Sequence, residues 1–241
     1  MQKQAKKENL LLNILLNIAI PTVVLMKLSG ENYLGVKLGI VVALAFPIGY
    51  GLYDFRNRHK INFFSILGVV SVLLTGGISL LELDPKYIAI KEASIPGLLG
   101  IATLISIKTR WPLVKTMLYN KSIICVDKIE LALKERNSEL AFQNSLKIAS
   151  ILVASSFFLS SVLNYILAKF VVVSTPGTEQ FNIELGKLTA LSYPVIVIPS
   201  MIVLVSSLVF LAKAITRHTG LAFEEILVEM QEKETEVDAQ Q

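Results

Sequence analysis

Long apolar runs bracketed by charged residues are the feature of this sequence that most restricts its fold. Six such runs occur, and the cleanest of them, residues 61–81, contains no charged side chain. A helix of about 20 apolar residues crosses the ~30 Å hydrocarbon core of a bilayer, and it satisfies its own backbone hydrogen bonds while doing so. The sequence therefore predicts an all-α polytopic membrane protein, a bundle of six transmembrane helices.

The predicted spans use most of the 241 residues. They are residues 10–26, 34–53, 61–81, 88–107, 148–168 and 188–212. Composition agrees, because 53% of the residues are hydrophobic and 17% are charged, with a mean hydropathy of +0.61, whereas soluble domains are nearer to about 25% charged. We expect a single membrane domain with little chain left for a separate globular one.

Basic residues are unevenly shared between the connections, and this predicts the orientation. The 54–60 loop holds three basic residues and the 108–147 connection holds eight, whereas 82–87 and 169–187 hold few. Because Lys and Arg are enriched in cytoplasmic loops, both termini are expected in the cytoplasm. The 27–37 loop, with two lysines, is the exception. Aromatic residues expected at the inner interface are Tyr50, Tyr53, Phe55, Trp111 and Tyr119.

Two cytoplasmic segments are predicted to be amphipathic. Apolar residues recur at helical spacing in the 108–147 connection, which predicts a helix near 123–141. They are Val126, Ile129 and Leu133. The tail, residues 214–241, contains seven acidic and two basic residues, whereas the 108–147 connection has eight basic and four acidic ones. Opposite charges on one membrane face predict that the two segments dock together, with solvated faces as the alternative.

Few residues inside the predicted spans carry ionisable groups. Lys91 and Glu92 lie about one turn inside the fourth span, and a charged side chain costs about 2.5–3.5 kcal/mol at a helix centre. Adjacent residues point ~100° apart around a helix, so the two side chains are not expected to cancel each other. Two interpretations stay open. Glu92 faces the bundle as a proton or cation site, or Lys91 reaches the headgroups while Glu92 caps the first turn or pairs with Lys86 or another helix.

Four further polar residues complete the predicted intramembrane polar site. Asn13 and Asn17 share one helix face, and Asn164 or Tyr193 is their expected partner. Interhelical polar contacts average about 0.6 kcal/mol, so the asparagines are interpreted first as contacts between helices and second as a substrate site. Prolines inside spans predict helix kinks. They are Pro21, Pro47, Pro96, Pro194 and Pro199.

The sequence contains no motif of an enzyme, a cofactor site or a metal site. It has no phosphate-binding loop, dinucleotide fingerprint, zinc-protease motif or serine-hydrolase elbow. The two histidines lack ligand-like spacing, and the single Cys125 excludes a disulfide within the chain. We expect no catalytic residues, no cofactor and no metal.

Four stretches of the sequence carry a family likeness. They are A-L-A-F-P-I-G-Y-G-L-Y-D-F (43–55), L-L-T-G-G-I-S-L-L-E-L-D-P (73–85), I-K-E-A-S-I-P (90–96) and F-N-I-E-L-G-K-L-T-A-L-S-Y-P-V-I-V-I-P-S-M (181–201). In this order they resemble an uncharacterised family of bacterial multi-span membrane proteins, which is sometimes placed beside the intracellular septation protein A group and sometimes described as transporters. The resemblance implies a bacterial inner-membrane location and supplies no substrate, cofactor or catalytic residue.

The expected function is a structural or interaction role in the cell envelope. Membrane lipids are the expected partners, other membrane proteins or a second copy of the chain are further candidates, and nucleic acid is not expected, because the net charge of +4 comes from loops between spans. The alternative is a small-solute or proton-coupled secondary transporter that uses Lys91, Glu92 and the asparagines. A water-accessible cavity at the midplane would favour the transporter, and a dry interface would favour the structural role.

Overall fold

The computed structural model describes residues 14–58, 63–109, 112–118 and 124–226, and these residues form helices without a strand. The helices are α1 (Ile20–Lys27), α2 (Gly35–Arg58), α3 (Phe63–Leu80), α4 (Lys86–Ser106), α5 (Leu113–Leu118), α6 (Val126–Glu135), α7 (Glu139–Val171), α8 (Glu179–Ser192), α9 (Ile198–Thr219) and α10 (Phe223–Ile226). One π-helical turn, Leu15–Ala19, precedes α1, and another, Tyr193–Val197, joins α8 to α9. The all-α prediction is confirmed.

Four helical stretches of the described chain are long and apolar enough to cross a membrane. They are Gly35–Tyr53, Lys86–Ser106, Glu139–Val171 and Glu179–Thr219. The apolar stretch Leu15–Lys27 is shorter, and α3 has 18 residues. The count of six spans stays a prediction.

Two helices extend beyond the predicted spans. The fifth span was placed at 148–168, but α7 runs for 33 residues from Glu139 to Val171. The 169–187 connection is also helical from residue 179 onward, because the Thr178 hydroxyl accepts a hydrogen bond from the Phe181 amide at 3.2 Å and so caps α8. Hydropathy locates the apolar part of a helix and does not register the polar turns that continue it.

The helix predicted near 123–141 is divided between α6 and α7. Asn137 adopts a φ of 50°, and the Ser138 amide donates to the Leu133 carbonyl at 3.0 Å. A left-handed residue with this hydrogen bond is a common end to a helix. The predicted apolar stripe of α6 is buried. It consists of Val126, Ile129 and Leu133.

The chain forms two compact units, of which the first comprises residues 1–95 and 160–198. Residues of α1, α2 and α8 form its core, together with residues at the ends of α3, α4 and α7. The buried apolar residues are Val24, Leu25, Ile40, Ala43, Ile78, Ile88, Ala89, Ala168, Val172, Phe181, Leu185 and Leu188. Gly186 permits close approach of α8 to α1, because a Cβ atom at this position would lie 2.5 Å from Met26 Cγ. Helix packing at small residues is common between apolar helices.

The second unit comprises residues 96–159 and 199–241. Its buried apolar residues come from α5, α6, α7, α9 and α10, and Ile226 of the tail is 1% exposed among them. The Cys125 amide donates to the Ile226 carbonyl at 2.8 Å, and Lys128 Nζ lies 3.7 Å from Glu225 Oε1. The predicted docking of the tail on the 108–147 connection therefore occurs at these residues, and the rest of the tail lies outside the described chain.

The five prolines of the predicted spans occupy three kinds of position relative to the helices and the π-helical turns. Pro47 and Pro96 lie inside α2 and α4. Pro21 and Pro199 each occupy the second position of a helix that follows a π-helical turn, and Pro194 is the second residue within such a turn. The amide after each π-helical turn donates to the carbonyl five residues earlier. Prolines and π-helical turns are both recognised causes of helix kinks.

Candidate functional site

Lys91 and Glu92 form an ion pair in α4, within the first unit. Lys91 Nζ lies 2.6 Å from Glu92 Oε1, and it also donates to Thr75 Oγ1 on α3 at 2.8 Å. The Thr75 hydroxyl in turn donates to the Ser71 carbonyl at 3.1 Å. The lysine side chain is 7% exposed and that of the glutamate 28%. The ammonium is therefore bound from its own helix and from α3.

The expectation that Lys91 and Glu92 would not cancel each other is wrong. Adjacent residues do diverge around a helix, but the lysine stem is long and flexible, so its ammonium folds back to the neighbouring carboxylate. The same geometry turns the Lys91 ammonium towards Thr75 on α3. Pairing offsets the several kcal/mol that burial of each separate charge costs.

A further contact joins α4 to α7 beside this ion pair. The Ser161 hydroxyl on α7 donates to the Ala93 carbonyl at 2.7 Å. Pro96, inside α4, lacks the amide that would bond to the Glu92 carbonyl four residues earlier. Serine and threonine hydroxyls commonly donate to helix carbonyls near a proline inside an apolar helix. We refer to Thr75, Lys91, Glu92 and Ser161 as the polar layer.

The other predicted site residues belong to other parts of the chain. Asn164 donates to the carbonyl of Ser160 at 2.8 Å and to its hydroxyl at 3.3 Å, both on α7. Asn17 is half-buried in the first π-helical turn, and Tyr193, 42% exposed, begins the second. Asn13 lies outside the described residues. Asn164 thus bonds within its own helix, where a contact with another span was expected.

A cavity of about 390 Å³ lies between the first π-helical turn and α2, both in the first unit. Its lining is Leu16, Ala45, Phe46, Gly49, Tyr50 and Tyr53. Lys91 and Glu92 do not line it. Apart from two tyrosines the lining is apolar. The substrate sites of secondary transporters, by contrast, contain polar groups near the membrane midplane.

Glu184 is a buried carboxylate that the sequence did not single out. It is 6% exposed, and its Oε2 accepts the amides of Val173 at 2.9 Å and Ser174 at 2.8 Å. Its Oε1 accepts the Ser174 hydroxyl at 2.6 Å and the Gln180 amide nitrogen at 3.3 Å. Glu184 therefore fixes the segment that leaves α7. The signal available in the sequence was the capping residue Thr178, which places Gln180 and Glu184 one turn apart on a single helix.

Acidic side chains also join the loops at this end of the first unit. Glu82, with a φ of 54°, lies 3.4 Å from Lys37 Nζ, and a Cβ atom at Gly177 would approach its carboxylate to 3.0 Å. Asp84 Oδ1 accepts the Lys86 amide at 2.8 Å at the start of α4. The backbone amide of Lys86 and its ammonium hold the pKa of Asp84 below the usual value. The starts of α2 and α4 and the segment after α7 therefore lie at one end of this unit.

Within the described ranges, no three His, Cys, Asp or Glu side chains are arranged to hold a metal ion. His218, in the last turn of α9, has its Nε2 atom 3.0 Å from the Ser145 hydroxyl, and its ring makes a T-shaped contact with that of Phe142. Both contacts lie in the second unit. They hold the end of α9 against α7.

Several apolar helices are compatible with a helical multi-pass membrane protein. The sequence matches no family model, no curated protein and no solved structure. The family resemblance described above stays a prediction.

Proposed function

We propose that the protein has a structural or interaction role in the bacterial cell envelope, as a six-span protein of the inner membrane with both termini in the cytoplasm. The observation that carries this proposal is the closure of the polar layer. Lys91 is 7% exposed and is bound by Glu92 and Thr75. A transported ion or solute requires polar groups that remain available to it near the midplane, whereas these groups satisfy one another.

The six-span topology adds Leu15–Lys27 and α3 to the four longer stretches. With 18 residues, α3 measures ~27 Å at 1.5 Å per residue, close to the ~30 Å of hydrocarbon. The basic 54–60 loop and 108–147 connection support cytoplasmic termini, and the family resemblance supports the inner membrane. The amphipathic α6 and the acidic tail form a cytoplasmic surface for other membrane proteins or a second copy, while lipids surround the spans.

A small-solute or proton-coupled secondary transporter is the second candidate. It is favoured by the 28% exposure of Glu92, which leaves one side of the ion pair accessible. The π-helical turns at Leu15–Ala19 and Tyr193–Val197 also favour it, since such turns are frequent at functional sites.

Proton flux separates the two candidates. The purified full chain is reconstituted in liposomes that contain a pH-sensitive dye, and a potassium diffusion potential drives proton entry. We expect entry equal to that of protein-free liposomes, both for the wild type and for Glu92→Gln. Flux that is abolished by Glu92→Gln and retained by Glu31→Gln, a matched exposed carboxylate, would overturn the structural role.

The envelope role has its own test. A strain depleted of the protein is expected to admit a membrane-impermeant dye, and expression of the wild-type chain is expected to restore exclusion. Unchanged dye exclusion after depletion would contradict the envelope role while leaving the membrane topology intact.

The orientation is tested by cysteine labelling in a Cys125→Ser background. Tyr33 is 70% exposed beside the predicted outer end of α2, and Leu140 is 78% exposed in the 108–147 connection. An impermeant maleimide should label Tyr33→Cys in intact spheroplasts and Leu140→Cys only after permeabilisation. The reverse pattern would invert the topology.

A further inference from the structure

Exposed tyrosines lie at the end of the first unit where its loops are joined. Tyr33 lies two residues before the start of α2, Tyr87 lies in the first turn of α4, and Tyr165 lies in the last turns of α7. They are 70%, 44% and 41% exposed. The contacts of Glu82 with Lys37 and Gly177 bring these three helix ends together. The sequence had suggested an aromatic belt only at the opposite, cytoplasmic ends.

Two of these tyrosines carry a lysine ammonium over the ring. Lys86 Nζ lies 5.3 Å from the ring centroid of Tyr87, and Lys169 Nζ lies 5.8 Å from that of Tyr165. Both distances are within the range of cation–π attraction. Tyrosine and lysine at helix ends are typical anchors at a membrane surface, because the ring suits the headgroup level and the long stem reaches it.

The opposite boundary is marked on α2. Tyr53, 59% exposed, lies 18 residues after Gly35, which corresponds to ~27 Å along the helix. This length matches the ~30 Å hydrocarbon core. Between the two ends, Leu38 and Val41 are 59% and 48% exposed and apolar, as lipid-facing side chains should be.

We infer that Tyr33, Tyr87 and Tyr165, with the ammonium groups of Lys86 and Lys169, contact the phospholipid headgroup layer at one face of the membrane. The inference rests on the proposed membrane-spanning fold. Phospholipid headgroups are the partner because all three rings are exposed near helix ends, and the start of α2 beside Tyr33 lies one hydrocarbon thickness from Tyr53.

This placement assigns a depth to the polar layer. Lys91 follows Tyr87 by four residues and Ser161 precedes Tyr165 by four, so each lies ~6 Å deeper than the tyrosine on its own helix. Two helices therefore give the same depth independently. The ion pair therefore lies near the edge of the hydrocarbon core. The midplane, where transporters bind their substrates, lies about 15 Å from that edge.

Fluorescence quenching by brominated lipid tests the assignment. The single tryptophan is removed by Trp111→Phe, and Tyr87→Trp and Tyr165→Trp are introduced separately. The chains are reconstituted in phosphatidylethanolamine and phosphatidylglycerol vesicles that contain phosphatidylcholine brominated either near the top of the acyl chain or near its end. Val70→Trp is the matched deep control, because Val70 is 44% exposed and lies ten residues, ~15 Å, before the end of α3.

Tryptophan at 87 and at 165 should lose more fluorescence to the shallow bromine than to the deep one, and Val70→Trp should show the reverse order. If Val70→Trp behaves as expected while the other two are quenched by neither lipid, or more by the deep one, the headgroup contact is wrong and the spanning fold stands. If neither brominated lipid quenches the fluorescence of Val70→Trp, the proposed membrane-spanning fold is wrong.

Discussion

Removal of the Glu184 side chain is expected to release the segment that follows α7. In Glu184→Ala, the partly buried amides of Val173 and Ser174 lose their only acceptor shown by the structure. A hydrogen bond to a charged group contributes about 1.5–3 kcal/mol, so the loss of two of them costs about 4 kcal/mol. In Glu184→Gln the carbonyl oxygen still accepts both backbone amides, although the NH2 group that replaces Oε1 no longer accepts from Ser174 and Gln180. At the two backbone amides the loss is that of the charge, about 1 kcal/mol.

The assay is hydrogen exchange of the full chain in detergent, followed by mass spectrometry of peptides that cover residues 173–174. If local opening is facilitated by about 4 kcal/mol, exchange of these amides accelerates about a thousandfold, and Glu184→Gln accelerates it about fivefold. Glu31→Ala, which removes an exposed carboxylate, is the control and should change nothing at these amides.

Two results would refute this reasoning about Glu184. Unchanged exchange at residues 173–174 in Glu184→Ala would show that the carboxylate does not hold these amides. Equal acceleration by Glu184→Gln and Glu184→Ala would show that the negative charge matters and the number of acceptor atoms does not.

Two further predictions concern the packing of the first unit. Glu92→Gln should lower the free energy of unfolding in detergent by about 3 kcal/mol, because it leaves a buried ammonium without its counter-charge. Adding Lys91→Met should recover most of that loss. Additive effects of the two substitutions in this double-mutant cycle would contradict the ion pair. Gly186→Ala should cost about 2 kcal/mol, since its Cβ meets Met26, whereas Gly77→Ala, which meets nothing within 4 Å, should be neutral or stabilise α3 by up to about 1 kcal/mol. Equal melting shifts for the two alanine variants would argue against close packing of α1 and α8.

The helices were predictable because their main determinant is local. Runs of apolar residues favour a helix wherever backbone groups must be satisfied without water, and the spacing of Val126, Ile129 and Leu133 was sufficient to predict the buried stripe of α6. The polar ends of helices were less visible. Thr178 at the start of α8 and Asn137 at the end of α6 are ordinary capping residues, and attention to capping would have located both boundaries.

The site could be predicted only in part because its geometry depends on distant parts of the chain. Lys91 and Glu92 were recognisable as charges within an apolar run, but the direction of the lysine side chain depends on Thr75, 16 residues away on another helix. Glu184 was overlooked because its partners include the amides of residues 173 and 174, which become neighbours only after the chain reverses between α7 and α8.

The location of the ion pair on a single helix has a consequence for biogenesis. Because Lys91 and Glu92 are adjacent in α4, their charges can cancel as soon as that helix forms, before α3 or α7 has packed against it. In the proposed membrane-spanning fold, insertion of α4 then exposes the bilayer to a dipole rather than to an unpaired ammonium. This reduces the insertion cost, which for a lone charge at a helix centre is about 2.5–3.5 kcal/mol. The bonds to Thr75 and from Ser161 to Ala93 involve α3 and α7, so they require that these helices have packed against α4.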